Sequence, residues 1–235
     1  MQKLHNSSAL IFMVFAYLTF LVAIGTGGLA QTDNSNVIMT PINYDAADQV
    51  LTLLNKSSEE VDLSGYQIRD GAGNVFKLPE DEGEASKLAP FAILRIHTGP
   101  EARQSYEGEK DLFWTNKNLW NNEKTPQLVS PEGKVVYELD LSEIKDSARL
   151  ASCLTRKGVI LYSLKACSHC QTQKDEFGSA IEFINYVECS KNRKICSNAG
   201  ISTVPAWYFG RQDRWEIGAK SLNELSSLAN CSYGE

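Results

Sequence analysis

The stretch that decides the fold of the second half of the chain is Val159-Ile160-Leu161-Tyr162, followed after four residues by Cys167-Ser168-His169-Cys170. A short, uninterrupted apolar run of this kind is typical of a strand that is buried on both faces. Residues 171–181 then form an amphipathic pattern that predicts a helix. The two cysteines therefore lie where a buried strand passes into the N-terminus of a helix.

That position suits thiol–disulfide chemistry. A thiolate at a helix N-terminus meets unpaired backbone N–H groups and the positive end of the helix dipole, and both stabilise the anion. The two intervening residues let the second sulfur reach the first within one helical turn. We therefore predict that Cys167 attacks a substrate disulfide and that Cys170 resolves the mixed disulfide. His169, between them, either stabilises the thiolate as a partly cationic imidazole, which makes the pair more oxidising, or is a solvated turn residue.

Two alternatives apply to this cysteine pair: a structural disulfide, or half of a zinc knuckle. A zinc ribbon needs a second close pair, but Cys189 and Cys196 are separated by six residues, and no pair of histidines completes a site. The pattern of strand, cysteines and helix therefore favours redox function for Cys167 and Cys170. Such dithiol chemistry needs no cofactor and no metal.

The remaining four cysteines leave more than one interpretation open. All six cysteines of the chain lie after residue 152, and an even number is typical of a disulfide framework in an oxidising compartment. Cys189 and Cys196 are either a relay pair that passes electrons to Cys167 and Cys170 or a structural clamp on their loop. Cys153 and Cys231 lie at the two ends of this part and could staple its termini, but spacing does not fix the connectivity.

The rest of this part alternates short strands and helices. The apolar patterns predict strands at 183–189, 206–209 and 214–217, a short polar helix around 193–199, and a last helix opened by Gly218 and Ser221 that runs through residue 228. Pro205 directly precedes the 206–209 strand. Because proline has no N–H to donate to the interior of a β-ladder, its presence there needs an explanation from its position. The order βαβ, then α, ββ and α, is the minimal thioredoxin-like core.

Short segments at consistent spacing support this interpretation over about residues 154–231. They are Leu161-Tyr162, Cys167-Ser168-His169-Cys170, Gln173-Lys174, Phe177-Gly178, Tyr186-Val187-Glu188-Cys189, Ile195-Cys196, Ala199-Gly200-Ile201, Val204-Pro205-Ala206-Trp207, Gly218, Ser221-Leu222 and Leu225. In these segments the chain resembles the thioredoxin-like domain that is fused to, or accompanies, bacterial and archaeal vitamin K epoxide reductase homologues.

The resemblance implies a function and a partner. It implies a cis Val204–Pro205 bond facing the active cysteines, where the adjoining backbone receives an extended substrate. It also implies exchange with protein thiols and disulfides, and a membrane quinone-linked oxidase of the vitamin K epoxide reductase type as a partner. The sequence departs from the family at Ala166, where an aromatic residue is usual, and at Ser168, where proline is usual. Both flank the nucleophile, so the departures bear on reduction potential and substrate preference.

The first part of the chain, residues 37–139, has the signals of β structure. Apolar or alternating runs recur at 49–54, 66–69, 75–78, 92–97, 127–129 and 134–138, with turn-forming residues between them. This spacing predicts a two-sheet sandwich. Seven sequence segments carry a further likeness. They are Leu53-Leu54-Asn55, Val61-Asp62-Leu63-Ser64-Gly65-Tyr66-Gln67-Ile68-Arg69-Asp70, Leu88-Ala89-Pro90, His97-Thr98-Gly99, Trp114, Leu119-Trp120-Asn121-Asn122 and Val129-Ser130-Pro131-Glu132-Gly133-Lys134-Val135-Val136. In these segments this part resembles the lamin-tail domain, an immunoglobulin-like sandwich. The resemblance implies a scaffold or adhesion role for this part.

The N-terminus predicts export. Lys3 precedes an uncharged apolar stretch at 9–24, and small residues follow, with Gly28 and Ala30 suited to a signal-peptidase site. The apolar run is either a cleaved signal peptide or, extended over 9–29, an uncleaved helical membrane anchor. Lys3 before the segment and Asp33 after it orient the rest of the chain outward. We therefore expect an extracytoplasmic location: periplasmic, cell-surface or secreted.

The sequence thus predicts a multidomain chain. Residues 1–30 are the signal peptide or anchor with its apolar helix, 37–140 an all-β immunoglobulin-like sandwich, and 141–235 an α/β thioredoxin-like domain. The last begins with a helix over 141–154 for which Ser142 is the expected N-cap. A net charge of −6, a pI of about 5.2 and the absence of a basic run argue against nucleic acid as a partner.

Two functional hypotheses follow. In the first, the protein is an exported thiol–disulfide oxidoreductase that uses Cys167 and Cys170, with Pro205 and His169 beside them and the sandwich as a docking or scaffold module. In the second, it is an envelope or surface binding protein whose thioredoxin-like part is structural or degenerate. The intact cysteine pair together with Pro205 favours the first.

Overall fold

The computed structural model describes residues 36–80, 84–103, 110–141 and 144–234. The apolar stretch at 9–24, for which a helix is predicted, lies outside these residues, as does Ser142. Within the described residues, no helix combines the length and the apolar character that are needed to cross a membrane. Residues 33–235 belong to one compact unit.

Among the described residues before 140, the structure has ten strands. They are β1 Val37–Thr40, β2 Gln49–Asn55, β3 Val61–Asp62, β4 Gln67–Arg69, β5 Val75–Lys77, β6 Lys87–Leu88, β7 Ile93–Thr98, β8 Asp111–Thr115, β9 Gln127–Val129 and β10 Val135–Glu138, with a 3-10 turn at Glu84–Ser86. One sheet has the order β1-β2-β7-β8 and a second the order β10-β9-β4-β5, while β3 pairs with β6. Only β7 and β8 are parallel among these pairs of described strands. Several mainly antiparallel sheets fit an immunoglobulin-like domain.

Strand positions in this part agree closely with the sequence pattern. All seven residues of β2 are buried, because β2 lies between β1 and β7 in the interior of its sheet. Leu51 and Leu53 of β2 and Ile68 of β4 are fully buried in one apolar core with residues of both sheets. The six predicted runs correspond to β2, β4, β5, β7, β9 and β10. β1, β3, β6 and β8 were not among them.

The part after residue 144 is α/β. Its elements are α1 Asp146–Arg156, β11 Val159–Ser163, α2 Ser168–Phe177, β12 Asn185–Glu188, α3 Arg193–Asn198, β13 Ala206–Phe209, β14 Arg214–Ile217 and α4 Leu222–Ala229, with 3-10 helices at Gly178–Phe183 and Gly210–Gln212. The four strands form one sheet of order β12-β11-β13-β14. β11 is parallel to β12 and antiparallel to β13, and β13 is antiparallel to β14.

Helix boundaries differ from the predictions at two places. α1 begins at Asp146 and not at residue 141; its N-cap is Lys145, whose side chain makes no capping bond, while Asp146 in the first turn complements the helix dipole. The predicted helix over 171–181 is α2 followed by a 3-10 segment that continues to Phe183, so the next strand begins two residues later than predicted. For α4 the prediction is confirmed, because Ser221 forms a capping box with Glu224.

The two parts are joined by buried polar contacts as well as by a shared apolar core. The hydroxyls of Thr40 and Ser152 lie 2.9 Å apart, and the Asn185 amide donates to the carbonyl of Phe91 at 2.7 Å. Arg95 in β7 donates to the carbonyl of Arg156 at the end of α1, at 2.8 Å. The sandwich therefore packs directly against the elements that carry the cysteines.

Arg95 belongs to a buried charge cluster in the sandwich. Its guanidinium makes a two-pronged contact with Asp111, at 2.6 and 3.0 Å. The ring of His97 lies between two carboxylates, with Nδ1 3.0 Å from Asp48 and Nε2 2.8 Å from Asp111. Because a lone buried charge is costly, these groups stabilise one another, and the cluster holds Arg95 against the end of α1. His97 thus has a structural explanation.

Asn55, the last residue of β2, anchors the loop that follows it. Its side chain is fully buried, and its amide donates to the carbonyls of Glu59, Leu88 and Ala89 at 2.8 to 3.0 Å. Its side-chain oxygen accepts from the backbone N–H and the hydroxyl of Ser57. A single amide thus satisfies five polar groups at the end of the strand.

We predict that Asn55→Ala lowers the free energy of unfolding by on the order of 3 kcal/mol, because several buried polar groups lose their partner at once. Chemical denaturation of the two proteins measures the difference. The matched control is Asn122→Ala, in an exposed turn, which is expected to stay within about 0.5 kcal/mol of the parent. Equal stabilities for Asn55→Ala and Asn122→Ala would contradict the anchoring role.

Candidate dithiol site

Cys167 lies at the junction between β11 and α2. It is the N-cap residue of α2, with an extended backbone (φ −90°, ψ 119°). Its sulfur takes the place of a capping oxygen and accepts the backbone N–H of Cys170 at 3.2 Å. The strand ends at Ser163, so a three-residue turn delivers Cys167 to the helix N-terminus. The sequence prediction of a cysteine at the strand-to-helix junction is confirmed in the structure.

Cys170 is the buried member of the pair. Its residue is 1% exposed, whereas Cys167 is half-buried, and both thiols are free. Burial, and then the contact with Cys167, raises the pKa of the Cys170 thiol above its ordinary value. At neutral pH Cys170 is therefore protonated. The two sulfurs differ in accessibility, as an attacking thiol and a resolving thiol should.

The Pro205 loop contacts the sulfur of Cys167, the more accessible of the two cysteines. The Val204–Pro205 peptide bond is cis, as the family resemblance implies. The Cys167 thiol lies 3.7 Å from the carbonyl oxygen of Val204 and can donate a weak hydrogen bond to it. Pro205 itself is buried. The structure therefore brings the N-terminus of α2, with Cys167 and Cys170, next to the Val204–Pro205 segment.

His169 differs from Cys170 and Pro205 because its side chain is open to solvent. It lies in the first turn of α2, between the two cysteines, and its residue is exposed. The structure shows a ring that solvent reaches, close in sequence to the Cys167 sulfur. Stabilisation of the thiolate by His169 thus stays a prediction.

Gln173 is a residue whose role sequence reasoning missed. It is fully buried in α2, and its amide donates to the carbonyl of Lys220 at 2.9 Å. Its side-chain oxygen accepts from the Lys220 N–H at 2.6 Å and from the indole of Trp207 at 3.3 Å. These bonds tie α2 to β13 and to the start of α4, and so hold the helix that carries both cysteines. The available signal was the position of this polar residue one helical turn after Cys170.

The four other cysteines form two disulfides, Cys153–Cys231 and Cys189–Cys196. The first joins α1 to the residues after α4. The second joins Cys189, directly after β12, to Cys196 in α3. Because Cys189 and Cys196 are bonded to each other, they are not thiolate ligands that could complete a zinc site with Cys167 and Cys170. Among the residues that the structure describes, no cluster of three or more His, Cys, Asp or Glu could hold a metal ion.

Exposed apolar side chains lie beside the Pro205 loop. A cavity of about 240 Å³ borders the loop and is lined by residues that include Ile201, Trp215 and Ile217. Trp215 and Ile217 are 40% and 51% exposed, unusually high for large apolar side chains. An extended peptide placed beside Val204 would meet apolar side chains there.

Two comparisons with known proteins give matches. The model of the Lamin Tail Domain family matches residues 30–143. A protein of Arabidopsis thaliana named Thiol-disulfide oxidoreductase LTO1 is 33% identical over 107 residues, which span 42% of this chain. The match spans only 28% of the length of the plant protein.

We predict that iodoacetamide at neutral pH labels Cys167 well before Cys170, because Cys170 is buried and its raised pKa keeps it protonated. Peptide mass spectrometry after substoichiometric labelling identifies the modified residue. Raising the pH should speed the labelling of Cys170, since more of its thiol ionises. In denaturant the two should label at similar rates. Preferential labelling of Cys170 in the folded protein would contradict the assignment.

Proposed function

We propose that the protein is an exported thiol–disulfide oxidoreductase that exchanges disulfides through Cys167 and Cys170. One observation carries the proposal: Cys167 caps α2 with its sulfur, beside the carbonyl of Val204, while Cys170 is buried behind it. A structural cysteine pair would be bonded or fully enclosed. Here the reactive sulfur is accessible and both thiols are free.

A thioredoxin-like fold for residues 141–235 is part of this proposal. β11, α2 and β12 form a βαβ unit with parallel strands, and α3 then leads to the antiparallel pair β13 and β14, followed by α4. This order supports the thioredoxin-like assignment. A further support is the position of Pro205 immediately before β13, where the preceding carbonyl lies 3.7 Å from the Cys167 sulfur.

The reaction has two steps. The Cys167 thiolate attacks one sulfur of a substrate disulfide; a Cys167–substrate bond forms, the substrate S–S bond breaks, and the other substrate sulfur leaves as a thiolate. Cys170 then loses its proton and attacks the Cys167 sulfur, which releases the second substrate thiolate. The products are a reduced substrate and a Cys167–Cys170 disulfide. The reverse sequence oxidises a dithiol substrate.

The Val204–Pro205 segment is suited to hold the substrate. Val204 precedes β13, and its carbonyl faces the Cys167 sulfur at 3.7 Å. We propose that an extended substrate pairs with this backbone, as a peptide adds to a strand edge. Its apolar side chains would lie on Trp215 and Ile217, and its disulfide in line with Cys167.

The proposal also includes the partners of the protein and its cellular location. The Arabidopsis relative is named a thiol–disulfide oxidoreductase, and that name supports the proposed activity. We propose protein thiols and disulfides as substrates and a membrane quinone-linked oxidase of the vitamin K epoxide reductase type as the electron acceptor. The N-terminal apolar segment would place the protein outside the cytoplasm, where its two disulfides persist.

The lamin-tail match favours a second candidate, a surface binding protein. Residues 30–143 match that family, and they form about half of the chain. In the first proposal this part is the docking or scaffold module; in the second it is the main function, and the cysteine pair has lost its activity. Turnover of a disulfide substrate separates the two.

We predict that Cys170→Ser accumulates covalent complexes with disulfide-containing proteins, because the mixed disulfide on Cys167 can no longer be resolved. Cys167→Ser should reduce exchange to the uncatalysed background and trap nothing. Non-reducing electrophoresis followed by treatment with dithiothreitol measures the complexes. Trapping by Cys167→Ser and not by Cys170→Ser would show that the roles are reversed. A parent protein that exchanges no disulfide above background would favour the binding role.

A further inference from the structure

Two turns lie side by side at the edge of the sheet where Cys167 is found. β11 and β12 are parallel, and Ser163, the last residue of β11, lies opposite Glu188, the last residue of β12. The turn that leads to Cys167 and the turn that follows Glu188 therefore leave the sheet at the same edge. Glu188 joins them, because its carboxylate accepts from the Lys165 N–H at 3.0 Å and from the Ser190 hydroxyl at 2.9 Å.

Basic side chains are concentrated on these two turns and on the helices that follow them. Segments 164–174 and 188–205 contain five lysine and arginine residues and one carboxylate, Glu188. The five residues, here called the basic patch, are Lys165, Lys174, Lys191, Arg193 and Lys194. Because the whole chain has a net charge of −6, this local excess of positive charge is opposite in sign to the charge of the molecule.

The basic patch is open to solvent and is not neutralised by the protein. The Lys174 ammonium lies 4.5 Å from the centroid of the Tyr186 ring, and the Tyr186 hydroxyl donates to Glu188. The other four members are exposed. In the described part of the chain, none of their side chains forms an ion pair. One carboxylate thus stands against five cations.

The stability of the fold does not account for the basic patch. Arg193 and Lys194 lie in the first turn of α3, where the helix dipole disfavours cations. Lys191 comes just before that helix, so three like charges lie within four residues and repel one another. Exposed cations that gain no partner within the chain are better explained by a partner outside it.

We propose that the basic patch binds acidic residues of a protein substrate, on one side of the disulfide that the substrate presents to Cys167. The inference rests on the proposed thiol–disulfide exchange and names the class of substrate. The position of the patch favours a substrate over an unrelated partner, because Lys165 is only two residues from Cys167. The exposed Trp215 and Ile217 lie on β14, at the opposite end of the sheet from β12. The substrate would therefore be acidic on one side of its disulfide and apolar on the other.

The expected effect of the basic patch is on the rate of association. Complementary charge around a binding site raises association rates by roughly 10 to 1,000 fold at low ionic strength. The Debye length falls from about 30 Å at 0.01 M to about 3 Å at 1 M ionic strength, so the preference should vanish in high salt. The net charge of −6 alone would favour a basic substrate. A preference for an acidic substrate therefore reports the patch and not the whole molecule.

The experiment uses the full-length chain with both disulfides intact and Cys167 and Cys170 reduced. The probes are two peptides with one cysteine, activated as a 2-pyridyl disulfide and flanked either by glutamates or by lysines at the same positions. The Cys167 thiolate attacks the peptide sulfur; the Cys167–peptide bond forms, the bond to the pyridyl sulfur breaks, and pyridine-2-thione leaves with the electron pair and takes up a proton from water. The absorbance of the thione gives the second-order rate constant.

We expect the parent to react with the acidic peptide at least about tenfold faster than with the basic peptide at ~0.01 M ionic strength, and within about twofold at ~1 M. The double variant Lys191→Glu with Arg193→Glu should lose this preference or reverse it. The ratio of the two rates within one protein cancels any change in the reactivity of Cys167 itself.

The matched control is the double variant Lys117→Glu with Lys134→Glu. It changes the net charge by the same amount through two exposed lysines of the sandwich. Its ratio of rates for the two peptides should stay within about twofold of the parent ratio, because charge far from Cys167 is screened.

Each outcome decides the question. A parent ratio near one at low ionic strength, or the same ratio in the parent and in the Lys191→Glu, Arg193→Glu variant, overturns the proposal. Glutamates in the first turn of α3 suit the helix dipole, so this variant should fold, which circular dichroism checks. If it does not fold, Lys191→Gln with Arg193→Gln gives the same readout.

Two further outcomes separate the alternatives. A parent that shows no peptide preference, yet sediments with phosphatidylglycerol vesicles better than the Lys191→Glu, Arg193→Glu variant does, would show that the patch binds a membrane and that the substrate proposal is wrong. A parent that reacts with both peptides no faster than Cys167→Ser contradicts the proposed function itself, independently of the basic patch.

Discussion

The hydrogen bond from the Cys170 N–H to the Cys167 sulfur, at 3.2 Å, is the interaction on which the candidate site depends. It makes the sulfur the cap of α2, so the same contact that begins the helix also fixes the reactive atom at the positive end of its dipole. The helix register then determines the position of Cys170, one turn inward and buried. Gln173 secures α2 to β13 and to the start of α4, and the Val204 carbonyl lies 3.7 Å from the sulfur. Removal of the cap would disturb helix, nucleophile and substrate surface together.

Much of this site could be predicted from the sequence because it is local. A buried strand, two cysteines and an amphipathic stretch follow one another within twenty-three residues, 159–181, so their order alone places Cys167 at a helix start. The boundaries of α1 and α2 were less predictable, since Lys145 caps α1 without a side-chain bond and the 3-10 segment after α2 delays β12. The basic patch beside Cys167 could not be predicted, because Lys165 and Lys191 are distant in sequence and their turns become neighbours only through the parallel register of β11 and β12. The same holds for Arg95 and Arg156, whose contact depends on how the sandwich packs on α1.

That packing matters for function. The sandwich contributes Thr40, Phe91 and Arg95 to contacts with Ser152, Asn185 and the end of α1, and all of these contacts are buried or partly buried. A lamin-tail-like part that is joined in this way is held in a defined position next to the sheet that carries the cysteines. A docking or scaffold module of the kind we propose would gain from this, because a substrate bound to a fixed surface meets Cys167 at a high effective concentration. The Cys153–Cys231 disulfide strengthens the same region by joining α1 to the residues after α4.

In the proposed function, Cys167 and Cys170 cycle between a dithiol and a disulfide in the folded protein. Equilibration of the full-length chain in glutathione redox buffers, followed by acid quenching, alkylation and mass spectrometry, measures the reduction potential of the pair directly. We predict a reversible transition of this pair alone, with a midpoint between roughly −270 and −120 mV, the range of thioredoxin-fold catalysts, while Cys153–Cys231 and Cys189–Cys196 stay oxidised. A pair that never forms a disulfide in these buffers, or one that is reduced only when the protein unfolds, would contradict the proposed redox function.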